Sequence, residues 1–315
     1  MDLSIIIVNY NSSRLLQKCL ESISASKIHI DYEVIVVDNN STDGGIADLK
    51  KRFPQVNFIE QSVNRGFAAG NNAGIMNSTG EAILLVNPDA ELEENAVQIL
   101  YDELMSAADI GIVGPKIFYA DDRLQSKVLP KNIPRLRDIF YELFLVGKIC
   151  PHSTKINAYH GSDSFDYEKK QNLGQVSGAC LMIKRKLADL IGLMDENYFL
   201  YYEETDWCYR ANGQGYRIVW VPSAIMVHHE GGSSGNSKRS IYAYYESQLY
   251  FFKKNYGSLP AYLLYLVNIM GLVFRLLISP AYIVANRNMI KTKRFYWALA
   301  YHLNPKSFAR TFTSR

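Results

Sequence analysis

Apolar and polar positions alternate along the first 90 residues in a repeated strand, turn and helix rhythm. Leu3 to Val8, LSIIIV, is a β-branched run that closes in Asn9, Tyr10, Asn11 and Ser12; Leu15, Leu16, Cys19, Leu20 and Ile23 then recur at helical spacing. Tyr32 to Val37, YEVIVV, repeats the strand and ends in the polar stretch Asp38 to Gly44, ahead of a helix over Ile46 to Phe53. A short strand, Asn57 to Glu60, leads through Asn64, Arg65 and Gly66 into an Ala/Gly/Asn-rich helix, Phe67 to Met76. In EAILLVNPD, Ala82 to Val86 is apolar at every position and reads as a strand buried on both faces. Pro88 cannot donate to a ladder and ends it. Strands alternating with helices at this spacing predict an α/β fold with a mostly parallel, Rossmann-like sheet flanked by helices.

In open α/β sheets ligands sit off the carboxyl ends of the strands, so Asn9, Tyr10, Asp38 and Asp89 are expected at one rim. A carboxylate there suits a hard cation such as Mg2+ or Mn2+, which holds phosphate oxygens. Taken alone, Asp89 reads more readily as a Pro-Asp turn residue or as a helix N-cap before Glu91 to Leu104. No G-x-G-x-x-G follows the first strand, which removes the dinucleotide fingerprint of a dehydrogenase. The turns instead offer Asn, Tyr, Asp and Arg, groups able to read a base and ribose and to pair a phosphate. For Asn39 to Asp43, ordinary turn and capping chemistry is the favoured reading.

Farther on, Asp121 to Asn172 has weak patterning, with Pro130, Pro134 and Pro151 and a helix near Ile139 to Val146; it reads as an irregular, acceptor-side insertion. Pattern returns at Gln175 to Lys184, a strand that Ser177, Gly178 and Ala179 enter, leaving room for other groups to approach the backbone. Gly192 to Arg210 then carries Glu203, Glu204 and Asp206 at the start of a helix that stops at Gly213. Such acids suit the positive end of a helix, and Asp206 can pair Arg210 at i,i+4. Crowded carboxylates among Phe199, Tyr201, Tyr202 and Trp207 also suit a general base, because desolvation and like charge both raise a carboxyl pKa. Tyr216 to Pro222 is a further strand, followed by Ile225 to Ser234 with adjacent His228 and His229, of types that ligate divalent metal or simply pack.

Composition changes the picture mainly at the C-terminus. The 315 residues carry a net charge of +3, yet residues 247 to 315 hold ten Lys/Arg and no Asp/Glu, leaving 24 basic and 31 acidic residues before them. An acidic body thus ends in a basic tail. Within that tail Ala261 to Ala285 is nearly all apolar, interrupted by Asn268, Arg275 and Pro280. A mid-span Arg costs about 2.5 to 3.5 kcal/mol on insertion, which disfavours spanning. Arg287, Lys291, Lys293, Arg294, Lys306, Arg310 and Arg315, interleaved with Phe295, Tyr296 and Trp297, suit a segment lying peripherally on the cytoplasmic face of the cell membrane; a core or dimer helix is the alternative. Nucleic acid is not an expected partner, since the basic residues alternate with long aliphatic runs. The four cysteines show no CxxC pair or zinc spacing and read as reduced, buried thiols of a cytosolic chain. Met1 runs straight into the first strand without a basic leader, so no cleaved signal peptide is expected.

The series SIIIVNYNS, VVDNNSTDG, NRGFAAGNNAGI, LLVNPDA, SGACLMIKR, DENYFLYYEETDWCYR and VHHEGGSS, from Leu3 to Ser234, resembles the bacterial family 2 glycosyltransferases, most closely the rhamnosyltransferase-like members that build cell-surface polysaccharides. The resemblance implies a GT-A fold, a nucleotide-sugar donor (dTDP or UDP), a divalent metal and inversion at the anomeric carbon. Carried over by position, Asn9, Tyr10 and Asp38 hold base and ribose, Arg65 lies near base or diphosphate, and Asn40, Asn71 and Asn87 complete the candidate nucleotide-binding set. Asn87, Pro88 and Asp89 occupy the Asp-any-Asp metal motif, with Asp89 the ligand and His228 the histidine near the metal. Glu204 takes the place of the catalytic acid, with Glu203 and Asp206 as the neighbouring alternatives. Two departures stand out: Asn87 replaces an acid, and Glu204 replaces Asp and extends the carboxylate by one methylene.

The expected organisation is a GT-A domain over 1–240, with a nucleotide-binding half to about 115 and an acceptor-side half from about 116, then a helical, basic, membrane-associating region over 241–315. The expected reaction transfers a sugar, L-rhamnose from dTDP-rhamnose as the best match, to a hydroxyl of a lipid-linked saccharide; an oligomer is left open. The rivals are a nucleotidyltransferase and a catalytically inactive nucleotide-sugar-binding or scaffold subunit of a polysaccharide assembly complex.

Overall fold

In the computed structural model, residues 1–125, 132–150, 152–153, 155–157, 159, 166–229, 237–286 and 290–312 are described, with backbone alone for 281–286, 290 and 291. Pro130, Pro151, the glycines after Glu230, Arg287 and Arg315 lie outside the described residues, as does the side chain of Lys291. The chain groups into two compact units: 1–133, 165–199 and 203–233 form the first, and 134–164, 200–202 and 234–315 the second.

The first unit begins as the apolar pattern predicts. Leu3–Asn9 (β1) is buried along its whole length, and Ser13–Ala25 (α1) turns Leu16, Cys19, Leu20 and Ile23 onto the sheet. Tyr32–Asp38 (β2), Ile46–Arg52 (α2), Asn57–Glu60 (β3), Phe67–Met76 (α3) and Ala82–Val86 (β4) follow. β1 pairs in parallel with β2 and β4, and β2 with β3.

Beyond β4 the sequence reading loses detail. Ala90–Leu92 (β5) is a strand where a helix from Glu91 was the alternative, and the helix Ala96–Met105 (α4) starts later, so Asp89 caps no helix. Ile110–Phe118 (β6), which no reading anticipated, lies in the middle of the sheet. Gln171–Leu173 (β7) overlaps the end of the stretch read as irregular. The next strand, Cys180–Lys184 (β8), starts after Gly178 and Ala179, which form a turn and not the strand's first residues. Arg185–Ile191 (helix), Glu203–Gly213 (helix) and Arg217–His228 (β9) complete this unit. β9 is longer than its pattern suggested, because the ladder with β6 jumps from Val221 to Ile225 and lets Pro222 bulge out of the pairing.

The order is β3-β2-β1-β4-β8-β6-β9-β5, with β7 also on β9. β8 is antiparallel to β4 and β6, while β6 and β9 are parallel. β1, β2, β3, β4, β6 and β9 therefore run one way, and β5, β7 and β8 oppose them. A mostly parallel sheet is right for direction, although neighbours past β4 are largely antiparallel. The carboxyl ends of β1, β2, β4 and β9 consequently share one rim with the starts of β5 and β8. Trp207 and Trp220, fully buried on the sheet, place their indole N–H groups on the carbonyls of Gly192 (2.9 Å) and Pro115 (3.0 Å). An indole buried without such a partner costs about 1 to 3 kcal/mol.

The second unit is helical. In chain order, Leu136–Leu143 (α5) and Val146–Ile149 (α6) come first; with Arg185–Ile191 and Glu203–Gly213 numbered α7 and α8, Lys238–Tyr256 (α9), Ser258–Asn286 (α10), Ile290–His302 (α11) and Pro305–Phe312 (α12) follow. The segment around α5, read as an acceptor-side insertion, belongs to this unit. The polar interruptions of α10 point inward. Asn268, fully buried, donates to Gln248 Oε1 at 2.9 Å and lies 3.2 Å from His302 Nε2. Arg275 donates to the carbonyl of Leu143 at 2.6 Å and to that of Glu142, with its guanidinium 5.7 Å from the centre of the Phe295 ring. Among the described side chains of α10, Leu259, Leu263, Leu266, Met270, Val273 and Leu277 are exposed and form an apolar stripe at alternating four and three residue spacing.

Candidate active site

At the ends of β1 and β2 the polar turns bind one another. Asn9 and Asp38 stand in register, and Asn9 Nδ2 donates to Asp38 Oδ1 at 2.9 Å. The other Asp38 oxygen accepts from the Ser41 N–H at 2.9 Å. Asn11 adopts φ 52° and its Oδ1 accepts from the Thr42 N–H at 2.7 Å; Asp43 accepts from the N–H and the hydroxyl of Ser13, both at 2.9 Å. Burial by itself raises the Asp43 carboxyl pKa, but these bonds outweigh it and leave the group below its ordinary value. Asp43 thus caps α1 from the neighbouring loop, where Ser12 makes no side-chain cap. For 39–43 the turn and capping reading is what the geometry displays. Asn40 is an exposed residue at φ 64°. Asn39 is buried and donates to the Gly66 carbonyl at 2.9 Å, tying the second strand end to the start of α3. Tyr10 is half-buried beside this network. The Oδ1 atoms of Asn9 and Asn39 are buried with no hydrogen-bond partner among the described residues, so the rim retains acceptors for a ligand's N–H or O–H groups.

Two candidates have partners within this unit. Arg65 pairs with Glu196 at 2.7 Å, and Asn72 donates to the same carboxylate at 3.1 Å. Asn71, nearly fully buried, donates back to the Phe67 carbonyl within α3 at 3.0 Å.

The ends of β4 and β9 bring three candidates together. Ala90 is in register with His228, which sets Asp89 beside that histidine: His228 Nε2 lies 3.1 Å from Asp89 Oδ1 and 3.4 Å from Asn87 Nδ2. The His229 N–H donates to the Asp89 carbonyl at 3.0 Å, while the His229 ring pairs with Glu91 at 2.6 Å and faces a different partner. Behind His228 stands Gln125, fully buried, with Oε1 3.2 Å from His228 Nδ1 and Nε2 donating to the His228 carbonyl at 2.7 Å. No sequence signal marked Gln125, which sits in a weakly patterned stretch.

The acids of α8 separate into different environments. Asp206 is fully buried and accepts from Arg210 Nε at 2.9 Å and from the Tyr198 hydroxyl at 3.4 Å; Arg210 also donates to the carbonyls of Gly192 and Leu193. The i,i+4 pair read from the sequence is thus formed, and it engages the Asp206 carboxylate with Arg210. Glu203 is buried at the helix start, whereas Glu204 is only half-buried. Tyr201 and Tyr202 enter this helix at φ 70° and 71°, a left-handed pair that costs about 1 to 3 kcal/mol per residue.

The turn that opens β8 touches both Glu204 and Asn87. Val86 is in register with Cys180, the Asn87 N–H donates to the Ala179 carbonyl at 2.9 Å, and Gly178 lies directly against the Glu204 side chain. A single turn between Gly178 and Asn87 therefore separates the α8 carboxylate from the corner formed by Asp89 and His228. Cys19, Cys180 and Cys208 are buried free thiols, and burial pushes all three upward in pKa, Cys208 to about 12.

The model of glycosyl transferase family 2 matches residues 4–192. An N-acetylglucosaminyl-diphospho-decaprenol L-rhamnosyltransferase of Mycobacterium tuberculosis is 27% identical over 79% of this chain and 83% of its own length. A dTDP-rhamnosyl transferase of Shigella flexneri is 26% identical over 73% of the chain and 69% of its own. An uncharacterized Sinorhizobium fredii protein is 29% identical over 74% of the chain, which spans only 25% of that longer relative. Among solved structures, a Pyrobaculum calidifontis mannosyltransferase in complex with GDP-Man and Mn2+ superposes with a TM-score of 0.57 at 16% identity, covering 95% of this chain and 85% of that one, which establishes the shared fold. The chain belongs to glycosyl transferase family 2, shares the GT-A fold, and is similar to the two rhamnosyl-transferring proteins named above.

Proposed function

We propose that this glycosyltransferase moves L-rhamnose from dTDP-rhamnose to a hydroxyl of a lipid-linked saccharide, with inversion, using Glu204 as general base. The observation that carries the mechanism is the short path from Glu204 through Gly178 and Ala179 to Asn87 and Asp89. In this reading the acceptor hydroxyl lies against Glu204, which takes its proton as the acceptor oxygen bonds to the anomeric carbon. The bond from that carbon to the diphosphate oxygen breaks in line, and the nucleoside diphosphate leaves toward Asp89. Asn9 and Asn39 offer their unpartnered oxygens to the nucleoside. The sugar and the lipid carrier rest on the names of the two rhamnosyl-transferring relatives.

The donor set fits a hard divalent cation, Mg2+ or Mn2+. Ligands about 2.1 Å from such an ion and at right angles stand about 3.0 Å apart, close to the 3.1 Å between Asp89 Oδ1 and His228 Nε2. No group of three His, Cys, Asp or Glu side chains gathers among the described residues, so the chain supplies two ligands and leaves the remainder to diphosphate and water. When bound, the cation neutralises the departing diphosphate.

Peripheral attachment to the cytoplasmic face of the membrane is part of the same proposal. Its support is the exposed apolar stripe of α10 together with exposed Lys293, Arg294 and Lys306 in a segment without acids.

Glu204→Gln tests the base: donor binding by calorimetry stays native while transfer falls at least about 100-fold. Near-native turnover moves the base to Glu203. Wild-type protein that binds donor yet releases no nucleoside diphosphate to any lipid-linked acceptor is a scaffold, and the catalytic reading is then abandoned.

A further inference from the structure

The backbone that delivers Glu203 and Glu204 to the start of α8 is held in an unfavourable shape. Tyr201 and Tyr202 take φ 70° and 71° in succession, a left-handed pair that persists only where its surroundings over-determine it. Just upstream, the Phe199 carbonyl accepts from the Phe67 N–H at 2.9 Å. Leu200–Tyr202 itself groups with the helical unit, and α9 supplies its partners there. Ser247 Oγ donates to the Leu200 carbonyl at 3.0 Å, and Gln248 Nε2 donates to the Tyr202 hydroxyl at 3.2 Å. The Tyr244 ring centre lies 5.9 Å from that of Tyr201 and 5.6 Å from that of Tyr202, and the Phe251 ring lies 5.5 Å from Tyr202. Tyr244 also hydrogen-bonds the Tyr202 hydroxyl. Positions 244, 247, 248 and 251 follow the i, i+3, i+4 and i+7 spacing of a single helix face.

Gln248 is 2% exposed and uses both ends of its amide, since its Oε1 accepts from Asn268 Nδ2 of α10 at 2.9 Å. An apolar side chain of similar length would fill the same space, but it would take a hydrogen-bond partner from two buried groups, the Tyr202 hydroxyl and the Asn268 amide. We propose that Gln248 is a positioning residue for Glu204: it bridges α10 to the Tyr202 hydroxyl, holds the left-handed corner, and so fixes the direction in which the first turn of α8 sets out. The inference rests on Glu204 as the base read above, whereas the clamp itself is read from Gln248, Tyr202 and Asn268 alone. Tyr202 precedes Glu204 by two residues, so a relaxed corner re-aims that carboxylate, and a misplacement of about 1 Å costs on the order of 100-fold in rate.

The test follows single-turnover transfer from dTDP-rhamnose to an N-acetylglucosaminyl-diphospho lipid by full-length variants, per folded molecule, beside donor affinity by calorimetry. Gln248→Leu is expected to slow transfer about 10-fold or more with donor affinity unchanged. Tyr202→Phe, which removes only the hydroxyl, is expected to slow it at least as much. The double variant is expected to be no slower than Tyr202→Phe alone, because the two residues act through one contact. Native transfer in Gln248→Leu, with only the urea midpoint lowered, makes Gln248 structural and refutes the clamp; so does a double variant slowed by the product of the two single effects. Should Gln248→Leu fail to fold, Tyr202→Phe decides, and its native transfer refutes the clamp. Glu204→Gln separates this claim from the base assignment. Transfer lost in Glu204→Gln but native in Gln248→Leu overturns the clamp alone. Near-native transfer in Glu204→Gln with slow transfer in Gln248→Leu overturns the base alone, and the corner then positions Glu203. Wild-type protein that transfers nothing removes both.

Discussion

A methyl group on Gly178 would stand 3.3 Å from Cγ of Glu204 and 3.4 Å from its Cβ. Gly178 precedes β8 in the turn whose next carbonyl, that of Ala179, accepts from Asn87. Gly178→Ala therefore pushes on the α8 carboxylate by a few tenths of an ångström without removing any hydrogen-bonding group. The expected result is kcat reduced about tenfold or more with the donor KM unchanged, since small misplacements of a reacting group are costly. Steady-state kinetics checks it, and an unaltered kcat shows that Glu204 has room to move.

Asp206 serves as the contrast to Glu204. Its carboxylate is fully buried against Arg210, and truncating one partner of a buried pair leaves the other uncompensated. Asp206→Asn is expected to cost about 3 kcal/mol of stability, seen as a lowered urea midpoint. Turnover per folded molecule and its pH profile are expected to stay native. A shifted pH profile returns Asp206 to the reaction.

His302 links the helical unit to pH. Burial depresses its pKa to about 4, and its Nδ1 lies 2.8 Å from the Ala298 carbonyl while Asn268 meets Nε2. The unfolded chain takes up a proton near the ordinary value of about 6.5, so between there and 4 it binds more protons than the folded one. The stability of this packing is fully present above about pH 6.5 and falls as pH drops toward 4, by on the order of 3 kcal/mol in all. Thermal unfolding across that window, compared with His302→Gln, isolates the component: the variant starts less stable and loses less.

The α10 stripe is expected to hold anionic bilayers. Replacing Leu263, Leu266 and Met270 by Ser removes exposed apolar side chains from the middle of the stripe. Co-sedimentation with phosphatidylglycerol vesicles is expected to fall at least about tenfold, with donor hydrolysis in solution unchanged. Wild-type protein that ignores the vesicles and elutes as a dimer assigns the stripe to a second copy of the chain.

How much of this was legible beforehand follows from the range of the forces involved. β1 to β4 and the helices between them could be read because each is an apolar run or a helical periodicity within one short window. β6 escaped notice although it lies in the middle of the sheet, because Gly111, Gly114, Pro115 and Lys116 break its apolar pattern. β5 and β7, at three residues each, are too short to carry any pattern. Among the candidate residues, Asn9, Asp38, Asn87, Asp89 and His228 lie at or beside strand ends and Glu204 at the start of α8, whereas Arg65 and Asn71 are engaged with Glu196 and with the backbone of α3. Inward-facing Arg275 and Asn268 show the same limit: both interrupted an apolar run in sequence, and both are turned away from its exposed face.

The order of residues alone determined that strands and helices alternate, that their polar ends carry amides and acids, and that the tail is basic and apolar. Those properties depend on neighbours a few positions apart. Tertiary structure decided which acid pairs with an arginine and which stays half-exposed, which histidine meets Asp89, and that a glutamine 103 residues away meets both the ring and the carbonyl of that histidine. Such outcomes depend on contacts between segments distant in the chain, where burial makes each hydrogen bond obligatory.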